Sequence, residues 1–381
     1  SSDVCSSDLA EIMTGTYLAP LGLTQGLYAI ILGHIIGGIL LFGAGLIGGR
    51  LQQGSMNTTA FSFGPLGAKG FAFLNMLQLI GWTSIMIYDA MLALQALAPL
   101  SPMIWTIAIG ALVILWLFIG LHNTGYIQAI VSVLLLGLTL YMGAHMISQW
   151  PNEGSLLTSG NMSFIAALEL SIAMPLSWLP LISDYTRESK KPFSASLTSA
   201  TVYTITSIVM YTLGLSAAIF GGGDSIITIM MNAGLGLAGL LVIIFSTVTT
   251  TFMDAYSAGV SSTTIYNSAS SKGIAVIVTI VGTIAAILYP MDDITDFLYL
   301  IGSVFAPMIA ILLADYFVNR QQVQTLSAYL IRGLIWAVSV GLYHYMLHSE
   351  SSIGATLPAF AIAFIVTTIV GFISKTANAL L

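Results

Sequence analysis

Four carboxylates, Glu11, Asp89, Glu169 and Asp254, lie inside long apolar runs of the sequence. An ionised side chain at the centre of a bilayer costs at least about 2.5–3.5 kcal/mol, so each marks a candidate functional position facing the protein interior. No Lys or Arg lies within those runs, which leaves a proton, a hydrogen bond, a bound cation or water to compensate them. Gln78, Trp82 and Asp89 stand at i, i+4 and i+11. Eleven residues is about three helical turns, so the three share one stripe. An indole beside an amide is a platform for a flat polar heterocycle: the ring stacks and the amide reads an edge. A Trp packed between helices is the bland alternative, and Asp89, towards the outer end of its run, is the carboxylate that water reaches most easily. Residues 246–251 hold five hydroxyls, Ser246, Thr247, Thr249, Thr250 and Thr251. Thr247, Thr250, Asp254 and Ser257 fall on one face at spacings of three and four. Hydroxyl and carbonyl oxygens are hard ligands suited to a small cation; Ser and Thr in membranes also bond their own i−4 carbonyls.

No catalytic constellation accompanies these residues. The five histidines (His34, His122, His145, His344, His348) show no zinc-ligand spacing, and neither a P-loop nor a G-x-S-x-G elbow is present. The chain therefore reads as neither an ATP-driven pump nor an enzyme, with no cofactor beyond Na⁺ or H⁺ as coupling ion. His344 and His348, at the outer end of their segment, read as interfacial. A single cysteine, Cys5, excludes a disulfide framework. Nine Lys+Arg against fifteen Asp+Glu leave no basic surface for nucleic acid. Of the 381 residues, 57% are hydrophobic and 6% charged, where a soluble domain carries roughly 25% charged residues; mean hydropathy is +0.96. No soluble fold of this length hides that much apolar surface. The chain is an all-α polytopic membrane protein whose surroundings are the lipid bilayer, and no obligate protein partner is evident.

Twelve segments must position the polar residues. The first is a truncated piece at 10–22; the others lie near 26–48, 69–98, 103–121, 124–149, 162–186, 193–220, 234–264, 272–289, 294–319, 326–348 and 353–375. Each of the full segments approaches or exceeds the roughly 20 residues a spanning helix needs. Arg50, Lys69, Arg187, Lys190, Lys191, Lys272, Arg320, Arg332 and Lys375 all fall in connections or ends on one side, while Glu153, Asp224, Asp292, Asp293, Asp296 and Glu350 fall on the other. The positive-inside asymmetry makes the basic side cytoplasmic, which places both termini inside and the protein in the cytoplasmic (inner) membrane. The opening SSDVCSSDL lacks the pattern of a signal peptide. It reads as adapter-like, non-native sequence over residues 1–9, joined to the genuine frame at Ala10; without Asp3 and Asp8 the formal net charge of −6 becomes −4.

Two segments carry helix breakers at mid-depth: AEIMTGTYLAPLG, with Pro20, and ALELSIAMPLSWLPLISDYTR, with Pro175 and Pro180. Interruptions in corresponding positions of two halves point to inverted-repeat transporters with a midplane site. Three stretches, SWLPLISDYTR, TTTFMDAYSAG and APMIAILLADYFVNR, together make the chain resemble the nucleobase–cation symporter-1 (purine–cytosine permease) family, closest to its hydroxymethylpyrimidine transporter branch, CytX. The resemblance implies a leucine-transporter-like fold: one transporter domain over 10–381, with inverted five-helix repeats at 10–149 and 162–319 and two extra helices at 326–375. It implies a substrate site between helices 1, 3, 6 and 8, with Trp82 stacking on a small heterocyclic substrate. The family's Gln one turn later is Met86 here, Trp178 is the available second aromatic, and Asp254 stands where relatives often carry Asn. Substrate contacts are thus expected from Trp82, Gln78, Trp178, Asp254 and Glu11, cation contacts from Ser246, Thr247, Thr249 and Thr250, and proton coupling from Glu169 or Asp254. The implied activity is symport by alternating access of a pyrimidine-type nucleobase or thiamine precursor such as hydroxymethylpyrimidine or cytosine. An amino-acid permease of the same fold, a channel and a polytopic membrane enzyme are the competing readings.

Overall fold

The structure, a computed structural model, describes residues 9–97, 100–119, 162–220, 236–349 and 352–380, with isolated helical positions between 130 and 144. Helix α1 (Leu9–Tyr17) turns through a 3₁₀ segment (Ala19–Leu21) into α2 (Leu23–Leu51). The short α3 (Ser55–Thr58) precedes α4 (Ala60–Leu97) and α5 (Pro102–Ile119). Then come α6 (Phe164–Thr186), α7 (Pro192–Phe220), α8 (Gly236–Ile265), α9 (Ser271–Leu288) and α10 (Thr295–Leu313), which continues as a π-helical turn (Ala314–Asn319). The last two are α11 (Leu326–His348) and α12 (Thr356–Leu380). Among the described residues, nine helices are long and apolar enough to cross a membrane. The expected segment at 124–149 falls largely outside the described residues; every other expected segment coincides with a helix.

Two groups of helices form the body. α2 packs along α6 and α7, and α1 lies against α7; α4 packs along α8 and α9. α10 joins α6 and α12, and α11 lies on α4, α10 and α12. The α2–α6 contact follows from a stripe of small residues, which lets two backbones approach where lipid offers no hydrophobic drive between helices. A Cβ added at Gly33, Gly37 or Gly48 of α2 would stand 2.5, 2.5 and 2.1 Å from the Cβ atoms of Ser171, Pro175 and Ser183. The α1–α7 approach is closer still: a Cβ at Gly214 would meet the Ile12 carbonyl oxygen at 1.9 Å.

Four expectations need correction. α1 runs without interruption through Glu11–Thr16, where Thr14 and Thr16 donate to the Ala10 and Met13 carbonyls at 2.7 and 2.6 Å, and Pro20 sits in the 3₁₀ turn after it. α6 is unbroken through Pro175 and Pro180. Gly37 leaves room for the Pro175 ring, and side-chain amides from α4 donate to the Ser177 and Pro180 carbonyls in the same stretch. α4 begins before the expected 69; its kink is at Gly64, whose φ of 68° favours glycine, and Pro65 opens the regular part. Arg332, expected in a turn, lies inside α11, buried and paired with Asp315.

Candidate functional site

A cavity of about 10 Å³, room for roughly one water, lies where α4, α6 and α8 meet. Its lining is Trp82 and Met86 from α4, Met174, Ser177, Trp178 and Leu181 from α6, and Thr250 and Asp254 from α8. Of the residues expected from sequence, Trp82, Trp178, Thr250 and Asp254 therefore converge. The two indoles are held by aromatic neighbours: Trp82 meets Phe297 edge-on at 5.4 Å, and Trp178 tilts against Tyr203 at 5.7 Å. Both tryptophans and Asp254 are buried. A ring larger than water enters only if side chains yield, and the two thioethers, Met86 and Met174, are the flexible members of the wall.

The other expected residues sit around this centre. Gln78 is one turn from Trp82 and donates from Nε2 to Asn75 Oδ1 at 2.8 Å and to the Ser177 carbonyl at 3.3 Å. Asn75 in turn donates to Ser261 Oγ at 2.8 Å and to the Pro180 carbonyl at 3.3 Å. Glu11 is buried on α1 and Asp89 is buried on α4, not wet; neither lines the cavity. Of the α8 hydroxyls, Thr249 donates to the Ser246 carbonyl at 2.9 Å and Thr251 to the Thr247 carbonyl at 2.7 Å. Ser246 and Thr247 are buried beside them, and the Thr247 hydroxyl has no hydrogen-bond partner among the described residues. The set thus mixes local back-bonding with an open hydroxyl, Thr247, one turn from Thr250 and two turns from Asp254.

Glu169 lies apart from the cavity. It accepts from the Ala355 amide at 3.1 Å, from the Thr356 amide at 3.1 and 3.0 Å on its two oxygens, and from the Thr356 hydroxyl. A carboxylate at a helix N-terminus meets orphan N–H groups and the positive end of the helix dipole. Glu169 therefore caps α12 from α6.

Tyrosines tie the helices together above and below the cavity. Tyr185, further along α6, donates to the Met253 carbonyl at 3.1 Å and lies 3.1 Å from Ser257 Oγ. At the opposite end of the cavity, Tyr17 donates to the Asp292 carbonyl and Tyr88 to Asp292 Oδ1, each at 2.9 Å. Hydrogen bonds between neighbouring elements thus lie on both sides of the space between the tryptophans.

Sequence reasoning missed Met174, Ser177 and Leu181, which carry no signal beyond an apolar or small side chain, and Asn75, whose amide three residues before Gln78 in an apolar run was a legible sign. Asp184 was also missed: it is buried at the end of α6 and accepts from the Ser55 amide at 2.8 Å. Among the described residues, no cluster of three His, Cys, Asp or Glu side chains could hold a metal.

A sequence profile described as "Permease for cytosine/purines, uracil, thiamine, allantoin" matches residues 8–380. A search of curated proteins found no match. Among solved structures, the chain is similar to Mhp1, a nucleobase-cation-symport-1 family transporter, in a closed conformation with bromovinylhydantoin bound: TM-score 0.82, 17% identity, 98% of this chain and 91% of that one covered. The inward-facing conformation of Mhp1 gives a TM-score of 0.72 at 17% identity, covering 98% and 90%. A substrate-bound, outward-open Na⁺-coupled sialic acid symporter gives 0.66 at 16% identity, covering 99% and 89%. At these identities the likeness fixes the fold as leucine-transporter-like.

Proposed function

Because the chain belongs to the family of permeases for cytosine/purines, uracil, thiamine and allantoin, and is therefore a membrane transporter and not an enzyme, we propose that it is a cation-coupled symporter importing a pyrimidine-type nucleobase or thiamine precursor. Hydroxymethylpyrimidine and cytosine head the candidates, as in the CytX branch. The observation that carries this reading is the cavity that collects Trp82, Trp178, Thr250 and Asp254 from three helices. Trp82 and Trp178 supply π-faces for a flat ring. Asp254 supplies an edge that pairs with an aminopyrimidine through two hydrogen bonds: it accepts one from the exocyclic amine, and in the other the protonated acid donates to the ring nitrogen or the protonated ring donates to the carboxylate.

Transport follows from the two closures. Parting Tyr185 from α8 opens one side, and parting Tyr17 and Tyr88 from Asp292 opens the other, so the site faces one compartment at a time. Cation and substrate are coupled because each stabilises the arrangement the other binds, a reciprocal relation. Thr250 and Thr247, with Ser246 and Thr249 beside them, are the oxygen set for Na⁺; Asp254 is the group for a proton. Glu11 lies on α1, the helix expected to complete the site. The repeats at 10–149 and 162–319, the extra helices at 326–375, the cytoplasmic membrane and cytoplasmic termini belong to the same reading.

The test is uptake of labelled hydroxymethylpyrimidine by cells expressing the protein, with and without a sodium gradient, against cytosine, uracil, hydantoin and leucine as competitors. Saturable uptake blocked by aminopyrimidines is the expected result. Inhibition by leucine alone would replace this reading with an amino-acid permease, and a chemically altered product would restore the enzyme reading.

The four bonds at Glu169 favour a cap over a proton carrier. Glu169→Gln is expected to lower the protein's thermal stability, hydrogen bonds to a charged group being worth about 1.5–3 kcal/mol, and to leave the cation dependence of uptake unchanged. Unaltered stability with an altered pH dependence of uptake would restore the proton-coupling role.

A further inference from the structure

The amide of Gln78 is held in one orientation, and its oxygen is left over. Gln78 is 5% exposed. Its Nε2 serves the Ser177 carbonyl and Asn75 Oδ1, while Asn75 Nδ2 serves the Pro180 carbonyl and Ser261 Oγ. Two of these four acceptors are backbone carbonyls, which accept and never donate. Turning either amide around would set oxygen against oxygen, so the hydrogen-bond network fixes both flips. Of the four polar atoms of the two amides, Gln78 Oε1 alone is buried with no hydrogen-bond partner among the described residues. Leaving a buried acceptor without a donor costs about 1–3 kcal/mol, and a clamp that enforces such a cost is the mark of a group waiting for a donor from outside the protein. Gln78 does not itself line the cavity, but its neighbours do: Trp82 lies one turn on, and Ser177, whose carbonyl Gln78 holds, is part of the wall.

We infer that Gln78 Oε1 is a specificity-determining acceptor, met by an exocyclic amine of the substrate, and that the protein thereby selects amino-substituted heterocycles over those with a carbonyl at the same position. The inference rests on the cavity being the substrate site. A primary aromatic amine has two N–H bonds; one goes to Asp254 and the other to Gln78. A carbonyl in the same place has no N–H for Gln78 Oε1, so that acceptor stays unsatisfied and faces another oxygen, whichever proton Asp254 holds. Asn75 touches no substrate here. It is a positioning residue that keeps the Gln78 amide from turning.

The experiment measures binding to the purified full chain by tryptophan fluorescence, with two matched pairs that differ only in amine against carbonyl: cytosine with uracil, and adenine with hypoxanthine. In the wild type the amino member is expected to bind about 10- to 100-fold tighter, the range one buried hydrogen bond supplies. Gln78→Met, of similar length and without the acceptor, is expected to narrow the ratio to under about threefold. Asn75→Leu leaves Gln78 in place but removes one of the two acceptors that orient its amide, so it is expected to narrow the ratio part-way; Gln78→Leu, which also lacks the acceptor, decides the matter if Gln78→Met does not fold. A wild type that favours the carbonyl member, or variants that keep the wild-type ratio, overturns the inference while leaving the site reading intact. Binding of neither member of either pair by the wild type overturns the site reading and the inference with it.

Discussion

Arg332→Met alone is expected to prevent accumulation of folded protein, and the double variant Arg332→Met with Asp315→Leu is expected to restore it. Asp315 is 0% exposed and Arg332 4%. The guanidinium binds the carboxylate with both arms, Nε to Oδ2 at 3.2 Å and Nη2 to Oδ1 at 3.1 Å, the fork geometry that makes Arg–carboxylate pairs strong. Asn319 Nδ2 donates to the same Oδ1 at 2.9 Å and to the Thr367 carbonyl at 3.1 Å, and Lys375 donates to the Asn319 carbonyl. The π-helical turn after α10 is thus the hub on which α11 and α12 are fastened. Removing one member of a buried pair leaves an uncompensated charge and costs about 3–5 kcal/mol, while replacing both with apolar groups of like volume is often neutral or stabilising. A loss of that size is a large part of a typical stability of about 5–15 kcal/mol. The measurement is the yield and melting temperature of detergent-purified protein for the wild type, both single variants and the double. Equal yields for single and double variants would show that the pair is not what holds the hub.

The spans were legible because lipid imposes a simple rule: apolar runs long enough to cross, with polar residues only where something compensates them. The same rule made the site half visible. Trp82, Thr250 and Asp254 stood out as polar or aromatic residues at helical spacing, and the structure brings them to one cavity with Trp178. Met174 and Leu181, on the same wall, are indistinguishable in sequence from residues that pack against a neighbour. Glu169 illustrates the other limit. Its partners lie 186 and 187 residues away, and only the folded chain shows that a mid-span carboxylate is a cap for a distant helix. Arg332 misled for a simpler reason: a charge a turn and a half into its segment reads as part of the cytoplasmic end, whereas the folded chain buries it against Asp315. The prolines of α6 misled in the opposite direction: the helix stays unbroken through Pro175 and Pro180, and a glycine on α2 makes room for the Pro175 ring.

On the proposed reading, two substitutions at Asp254 divide substrate recognition from coupling. Asp254→Leu removes both oxygens while keeping the branched skeleton and is expected to lower uptake of an aminopyrimidine by at least about 100-fold, because a site built to pair with a polar edge rejects strongly once its partner group is missing. Asp254→Asn behaves differently. Its amide presents one acceptor and one donor, the same pattern a protonated acid offers to the amine and the ring nitrogen. Binding of the substrate is therefore expected to survive in the Asp254→Asn variant, within a few-fold of wild type. What the amide cannot do is take up and release a proton. If Asp254 is the coupling group, wild-type uptake rises with an inward proton gradient, and Asp254→Asn keeps binding but loses that dependence and fails to concentrate the substrate. If the α8 hydroxyls hold Na⁺ instead, Asp254→Asn still concentrates substrate in a sodium gradient, and Thr250→Val is the variant that loses it. The measurements are equilibrium binding to purified protein and uptake into vesicles with imposed proton or sodium gradients. Wild-type transport by Asp254→Leu would remove Asp254 from both roles, leaving the tryptophan pair to hold the ring without a carboxylate at its edge.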